Sequence, residues 1–181
     1  MTDFTFSKVD HVALAVRSIR DACRLFVEVL GAEFVGGGDN PDLDVKAVQL
    51  LIPPGTKIEL LEPLSAASYL ERYIEKHGEG IHHLTVYVDD VPSAVAALEE
   101  HGFGVVDTEI ISASWHETFI RPSASFGALI QVAWARDRWD GGFPGVTLED
   151  VLEGRIHVLK NVVSWKDTGE VVTPRPVASA R

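Results

Sequence analysis

Two halves of the sequence have polar residues at matching positions with the same spacing. His11 and His83 lie 72 residues apart, and Glu59 and Gln131 are separated by the same 72 residues. A duplication with this period predicts two copies of one supersecondary unit that share a core. In each copy the apolar pattern predicts a strand, a helix and three further strands. The repeat therefore restricts the chain to a fold built from two βαβββ modules.

The elements of the first module follow from its apolar runs and turn residues. A strand around His11 precedes a helix that Ser18 caps and Gly31 ends. The stretch 36–41 combines Gly, Asp, Asn and Pro, so it predicts a loop. Two more strands then follow over 45–61, with a Pro-Pro-Gly turn between them.

The rest of the chain divides at comparable signals. The same order of elements restarts at Gly80, and residues beyond 135 fall outside the repeat. A short helix after Thr147 and an apolar run are expected in that last part, which can cover a sheet edge or extend a dimer contact. We predict a first module over 8–64, a connecting helix over 65–79, a second module over 80–135 and a C-terminal extension over 136–181.

Composition and charge exclude several classes of function. The 181 residues carry 16 Lys and Arg against 27 Asp and Glu, a net charge of −11. This acidic balance, without a basic cluster, argues against nucleic acid and against an anionic membrane surface as partner. The sequence shows neither a signal pattern nor a run of about 20 apolar residues. A single cysteine, Cys23, excludes an internal disulfide. We expect a soluble, cytoplasmic protein that binds a small-molecule substrate.

Four polar residues, His11, Glu59, His83 and Gln131, lie inside otherwise apolar strands. A polar side chain there is costly to bury unless it has a partner. Two imidazoles and two side-chain oxygens, brought together from both modules, suit one divalent metal ion, with Co, Ni, Zn, Mn and Fe all compatible. The alternative is a buried hydrogen-bonded cluster. The adjacent His82 is not expected as a ligand, because alternation along a strand turns it to the other face.

Five segments together resemble the vicinal oxygen chelate superfamily, which includes glyoxalase I, extradiol dioxygenases, bleomycin-resistance proteins and methylmalonyl-CoA epimerases. Within it, the likeness is greatest to the methylmalonyl-CoA epimerases. The resemblance implies an α+β fold in which two fused βαβββ modules form curved mixed sheets around a central metal site. The matching segments are Val9–Val16, Ile58–Leu64, Gly78–Leu84, Val88–Val91 and Gly127–Val132.

The resemblance also implies a reaction and a set of site residues. It implies a metal-dependent epimerase or isomerase that moves the α-proton of a 2-substituted malonyl-CoA through a metal-stabilised enolate, and that acts as a homodimer. The metal ligands of the family fall on His11, Glu59, His83 and Gln131. Gln131 departs from the family pattern, which usually has a glutamate there. A neutral amide can ligate through oxygen but cannot act as a base.

The exchange of glutamate and glutamine between modules suggests a mirrored acid–base pair. Some similar epimerases have glutamine at the first-module ligand position and glutamate at the second, whereas this chain has Glu59 first and Gln131 second. Their other catalytic glutamate lies in the first module, five residues before a proline. The second-module counterpart here is Glu117, five residues before Pro122. We therefore expect Glu59 and Glu117 to be the catalytic pair, with His116 as an alternative base that points to the opposite face.

Other functions on the same fold stay open from the sequence. His11, His83 and Glu59 have the composition of the two-histidine, one-carboxylate triad of Fe(II)-dependent dioxygenases. A glyoxalase-like lyase would use a comparable metal site on another substrate. A non-catalytic small-molecule binding or resistance protein is the third alternative, and four metal-capable residues argue against it.

Overall fold

The computed structural model of the protein describes residues 4–110 and 112–176. The order strand, helix and three strands occurs twice, which confirms the α+β fold of two βαβββ modules. The first occurrence is β1 (Phe6–Ala15), α1 (Ile19–Cys23), β2 (Glu33–Asn40), β3 (Val45–Ile52) and β4 (Thr56–Pro63), and α2 (Tyr69–His77) follows it. The second is β5 (Gly80–Val88), α3 (Val91–Glu100), β6 (Val105–Glu109), β7 (Trp115–Ile120) and β8 (Ile130–Ala135). The extension adds α4 (Leu148–Leu152), β9 (Ile156–Leu159), β10 (Val162–Trp165) and β11 (Val171–Val172).

Side-chain caps mark the starts of α1 and α3, and α1 begins where the sequence predicts. The hydroxyl of Ser18 accepts the N–H of Asp21 and caps α1, and the carboxylate of Asp90 caps α3 in the same way. Beyond α1 the chain continues as a π-helical segment over Arg24–Val29, and Gly31 follows with a φ of 70°. Within the two described ranges, no helix has the length and apolar character needed to cross a bilayer.

The chain forms two compact units whose limits differ from those of the predicted modules. We call Met1–Ala13 with His82–Arg136 the histidine unit, and Leu14–Ile81 with Asp137–Arg181 the extension unit. The chain passes from the first to the second within β1. The predicted module limits therefore stay predictions.

The histidine unit has one face of its sheet covered by a helix. Its strands follow the order β1-β5-β8-β7-β6, with β5 and β8 parallel and β7 antiparallel to both of its neighbours. Val91 and Ala94 of α3 pack on Val88 and Val132 of the sheet, and all four are buried. The side chains that alternate with these valines point to the opposite face, where Thr85 and Gln131 lie.

The extension unit has a sheet whose edge is covered by the C-terminal residues. Its strands follow the order β11-β10-β9-β2-β3-β4. Asp39 of β2 pairs with His157 of β9 in parallel, so the extension covers the edge of β2. Covering a sheet edge is one of the two roles expected for the extension from the sequence. Trp139, Phe143 and Ile156 anchor it in the core of this unit.

The loop expected over 36–41 is wrong, because Glu33–Asn40 forms β2. The three glycines of β2, at positions 36, 37 and 38, do not form a turn. They allow neighbouring chain segments to approach the strand closely. A Cβ at each would lie closer than 3 Å to another atom: Gly36 at 2.7 Å from the Phe143 ring, Gly37 at 2.3 Å from the Ala47 carbonyl oxygen and Gly38 at 2.9 Å from the Ile156 carbonyl oxygen.

Candidate metal site

The histidine unit contains four of the five predicted site residues. His11 lies on β1, His83 on β5, Glu117 on β7 and Gln131 on β8. His11, His83 and Gln131 expose only 4%, 7% and 8% of their surface, so these strands do bury polar side chains. The fifth residue, Glu59, lies on β4 of the extension unit.

The two histidine rings are close neighbours in a shielded environment. The ring centroids of His11 and His83 are 5.8 Å apart, at an interplanar angle of 68°. Phe119 of β7 packs edge-on against His83, with 6.4 Å between the centroids. A ligand between the rings would therefore interact with two imidazoles in a largely desolvated place, where electrostatic interactions are stronger than in water.

A hydrogen-bonded chain of side chains joins three of the predicted site residues, His11, Gln131 and Glu117. His11 Nδ1 lies 2.8 Å from Asp10 Oδ2, and its Nε2 lies 2.9 Å from Thr85 Oγ1. The Thr85 hydroxyl donates to Gln131 Oε1 at 2.6 Å. Gln131 Nε2 in turn donates to Glu117 Oε2 at 2.6 Å. Both ends of the Gln131 amide are thus engaged, which fixes its oxygen on the side of His11 and its nitrogen on the side of Glu117.

Glu117, and not the adjacent His116, lies with the candidate ligands. Glu117 is held by Gln131, whereas the His116 ring stacks on Trp134 with 4.9 Å between centroids. Trp134 packs against the cluster formed with α3, so His116 belongs to the covered face of the sheet. His116 Nε2 also lies 2.9 Å from the carbonyl oxygen of Ser112. The alternation of side chains along β7 therefore separates the two expected bases as the sequence predicts.

Sequence reasoning missed three residues that contact the candidate ligands. Thr85 follows His83 by two positions, so alternation alone places it on the same face. Asp10 and His82 each precede a candidate ligand and lie 72 residues apart, at matching positions of the repeat. His82 is not turned fully away, because its Nδ1 lies 2.8 Å from His83 Nδ1.

The extension unit contains a second glutamate–glutamine pair. Gln49 of β3 lies directly opposite Glu59 of β4, and Gln49 Nε2 donates to Glu59 Oε1 at 3.1 Å. In this unit the last strand of the module supplies the carboxylate and the preceding strand supplies the amide. The histidine unit has the reverse order, with the amide of Gln131 on the last strand and the carboxylate of Glu117 on the preceding one. The two modules therefore have glutamate–glutamine pairs of opposite sense.

Other titratable groups singled out by the sequence have structural roles. Cys23 is buried, and burial raises the pKa of its thiol, which makes it a poor nucleophile. Asp90 accepts a hydrogen bond from Ser93, which lowers the pKa of the Asp90 carboxyl. Asp89 accepts one from the backbone N–H of Thr5, which lowers the pKa of Asp89. Asp90 thus acts as the cap of α3, and Asp89 binds the chain segment that precedes β1.

The donor chemistry of this face fits a divalent metal ion. Two buried imidazoles have their Nδ1 atoms in contact with Asp10 and His82, and His11 Nε2 is directed toward Thr85 beside the amide oxygen of Gln131. Imidazole nitrogen combined with side-chain oxygen suits first-row divalent metals and selects none of them. If these residues bound an ion, the imidazole nitrogens of His11 and His83 and the amide oxygen of Gln131 would be the ligand atoms.

Comparison with known proteins identifies the family. A profile of the Glyoxalase/Bleomycin resistance protein/Dioxygenase superfamily matches residues 10–119, more than half of the chain. The chain belongs to this superfamily. The resemblance and the glyoxalase-like fold expected from the sequence are thereby confirmed. The superfamily match ends at residue 119, before the C-terminal extension.

Named relatives within the superfamily are epimerases. The chain is 33% identical over 129 residues to the ethylmalonyl-CoA/methylmalonyl-CoA epimerase of Cereibacter sphaeroides, covering 69% of this chain and 96% of that protein. It is 30% identical to the mitochondrial methylmalonyl-CoA epimerase of Bos taurus, covering 73% and 77%. The solved methylmalonyl-CoA epimerase of Mycobacterium tuberculosis superposes with a TM-score of 0.64 at 27% identity, covering 71% of this chain and 87% of the other.

Proposed function

We propose that this protein is a metal-dependent epimerase of a 2-substituted malonyl-CoA. The epimerase relatives support this proposal, and one observation of the site carries it. The carboxylate of Glu117 is oriented by Gln131 at 2.6 Å, within the hydrogen-bonded chain that includes His11. An oriented carboxylate beside buried imidazoles has the composition required for proton transfer next to a metal-bound oxygen.

We propose His11, Glu59 and His83 as ligands of one divalent ion, with the Gln131 amide oxygen as a fourth. Two imidazoles and one carboxylate are a donor set that suits a first-row divalent metal. When bound, the ion would act as a Lewis acid on the carbonyl oxygens of the substrate. Gln131 Oε1 would then exchange its hydrogen bond from Thr85 for the ion, and Nε2 would continue to hold Glu117.

The proton is transferred by the two glutamates. In one direction of the epimerisation, the Glu117 carboxylate accepts the α-proton of the substrate. The electron pair of the C–H bond then moves to the thioester carbonyl oxygen. The carboxylic acid form of the other, Glu59, returns a proton to the opposite face of the α-carbon. Each glutamate is hydrogen-bonded to a glutamine, Gln131 or Gln49, which orients it without competing as a base.

Metal analysis together with α-proton exchange in deuterated water tests this function. We expect a stoichiometric divalent metal in the purified protein and deuterium incorporation into methylmalonyl-CoA or ethylmalonyl-CoA. Bound metal without exchange into either ester would refute the proposed substrate class. Fe(II)-dependent oxygen uptake would then be the next assay, since it tests the dioxygenase alternative.

The variant Glu117→Gln tests the mirrored pair. An amide cannot accept the proton, so exchange should fall by about 10²–10⁴-fold while the metal content stays normal. Glu149→Gln is the matched control, because Glu149 lies in a half-exposed ion pair with Arg20. Normal exchange in Glu117→Gln with normal metal content would show that Glu117 is not the base. Homodimerisation stays a prediction from the family resemblance, which the mass of the protein in solution tests. A cytoplasmic location stays a prediction from the composition of the sequence.

A further inference from the structure

The residue that precedes each candidate histidine ligand contacts the Nδ1 atom of that histidine. Asp10 contacts His11 and His82 contacts His83, each at 2.8 Å. We propose that Asp10 and His82 are positioning residues that hold the two rings so that Nε2, rather than Nδ1, would bind the metal. This inference rests on the proposed function and adds to its ligand set two residues that set the ring tautomers.

Asp10 fixes the ring of His11 through a buried carboxylate. The side chain of Asp10 is fully buried and that of His11 is 3% exposed. Lys8 Nζ lies 3.0 Å from Asp10 Oδ1, which stabilises the ionised carboxylate. An ionised carboxylate only accepts hydrogen bonds, so His11 Nδ1 is the donor in this contact. Nε2, which contacts Thr85 Oγ1 in the structure, is then the nitrogen that would exchange this hydrogen bond for an ion, as in carboxylate–histidine–metal sites generally.

His82 controls His83 through the single proton that the two Nδ1 atoms share. At 2.8 Å one of these nitrogens carries the proton and the other accepts it. If His83 is the donor, its neutral ring has the lone pair on Nε2 and can ligate. If His82 is the donor, neutral His83 carries its proton on Nε2 and cannot ligate. The tautomer of His82 thus decides whether His83 can bind metal, and we assign the accepting Nδ1 to His82.

The two positioning contacts differ in strength because one partner is charged. A carboxylate raises the basicity of the imidazole it holds, whereas a neutral imidazole acceptor does so less. His11 should therefore be the stronger of the two ligands, and the loss of Asp10 should cost more affinity than the loss of His82. The duplicated positions 10 and 82 have diverged in residue type and kept the same contact.

Metal affinity and ring NMR together test this inference on the full-length protein. Co²⁺ titration, followed by its visible spectrum, compares the wild type with Asp10→Asn and His82→Phe. Each substitution should weaken Co²⁺ binding by about 10–100-fold, with Asp10→Asn at the upper end. His116→Phe is the matched control, because it makes the same ring exchange on the covered face of β7 and should leave the affinity unchanged. In metal-free wild type labelled with ¹⁵N at histidine, His83 should carry its proton on Nδ1 and His82 on Nε2.

The outcomes separate this inference from the proposed function. A wild type that binds no Co²⁺ would refute the metal site itself. Normal Co²⁺ binding by the wild type and by both variants would refute the positioning roles and leave the metal site intact. A His83 ring that carries its proton on Nε2 in the wild type would overturn the role of His82 even if the variants fail to fold.

Discussion

The substitution Gln131→Glu probes the contact on which the proposed mechanism depends. The wild-type amide donates to Glu117 Oε2 at 2.6 Å and accepts from Thr85. The variant keeps the acceptor toward Thr85 and loses the donor toward Glu117. Two carboxylates then face each other at a place where Gln131 is 8% exposed. The folded protein must separate them or bind a proton between them.

The expected loss of stability can be bounded from this geometry. A hydrogen bond to a charged group contributes about 1.5–3 kcal/mol, and like charges about 4 Å apart repel by about 4 kcal/mol at an effective dielectric constant of about 20. Proton uptake limits the total. Holding a proton at pH 7 on a carboxyl group with an ordinary pKa near 4.3 costs about 3.7 kcal/mol, at 1.36 kcal/mol per pH unit. We expect Gln131→Glu to lose about 2–4 kcal/mol of unfolding free energy at pH 7.

The pH dependence of this loss has a definite sign. The shared proton raises the pKa of one carboxyl in the folded variant above its unfolded value, so the stabilisation from that proton is complete at low pH and decreases as pH rises. The deficit relative to wild type should therefore shrink by up to about 1.4 kcal/mol for each pH unit between pH 7 and pH 5. Urea denaturation at pH 5, 6 and 7 measures it.

The exchanged double variant Gln131→Glu/Glu117→Gln is the control for this experiment. It restores one carboxylate and one amide, so it should recover stability to within about 1 kcal/mol of wild type. A deficit that does not change with pH, or a double variant as unstable as the single one, would refute the contact between residues 117 and 131.

Two further predictions concern the scaffold. Gly36→Ala places a Cβ 2.7 Å from the Phe143 ring and should destabilise the protein by about 1–3 kcal/mol in urea denaturation, whereas Gly104→Ala, with no atom within 4 Å, should have no adverse effect. Equal stabilities for the two variants would contradict the packing of the extension on β2. Asp90→Ala removes the cap of α3 and should cost about 1 kcal/mol at neutral pH. Because Ser93 lowers the pKa of Asp90, the cap stabilises above the unfolded pKa and is lost as pH falls through the folded one, so the difference from wild type should vanish at strongly acidic pH.

The repeat made most of the fold and part of the site predictable. Period-two alternation predicts Glu117 and His116 on opposite faces of β7, and the structure agrees. The capping residue Ser18 predicts the start of α1 correctly, because its hydrogen bond is local in sequence. Such features depend on residues only a few positions away in the sequence, so they can be recognised without knowing the tertiary structure.

Contacts between distant segments could not be predicted in the same way. The glycines of β2 have the composition of a loop, and only the approach of Phe143 and Ile156, more than a hundred residues later, explains their presence in a strand. His82 was expected to face away, since alternation describes the direction of a Cβ and not the reach of an imidazole ring. The metal roles of His11, Glu59, His83 and Gln131 stay predictions that the proposed assays address.

The glycines of β2 also predict a difference between related sequences with and without the C-terminal extension. Residues 36 and 38 are crowded by Phe143 and Ile156 of the extension, whereas residue 37 is crowded by the carbonyl oxygen of Ala47 within the first module. A related protein without the extension would lack the close contacts at positions 36 and 38. The close contact of position 37 with the carbonyl oxygen of Ala47 would remain. Glycine at 36 and 38 should therefore be inherited together with the C-terminal segment, and residues with side chains should return at both positions in lineages that lack it.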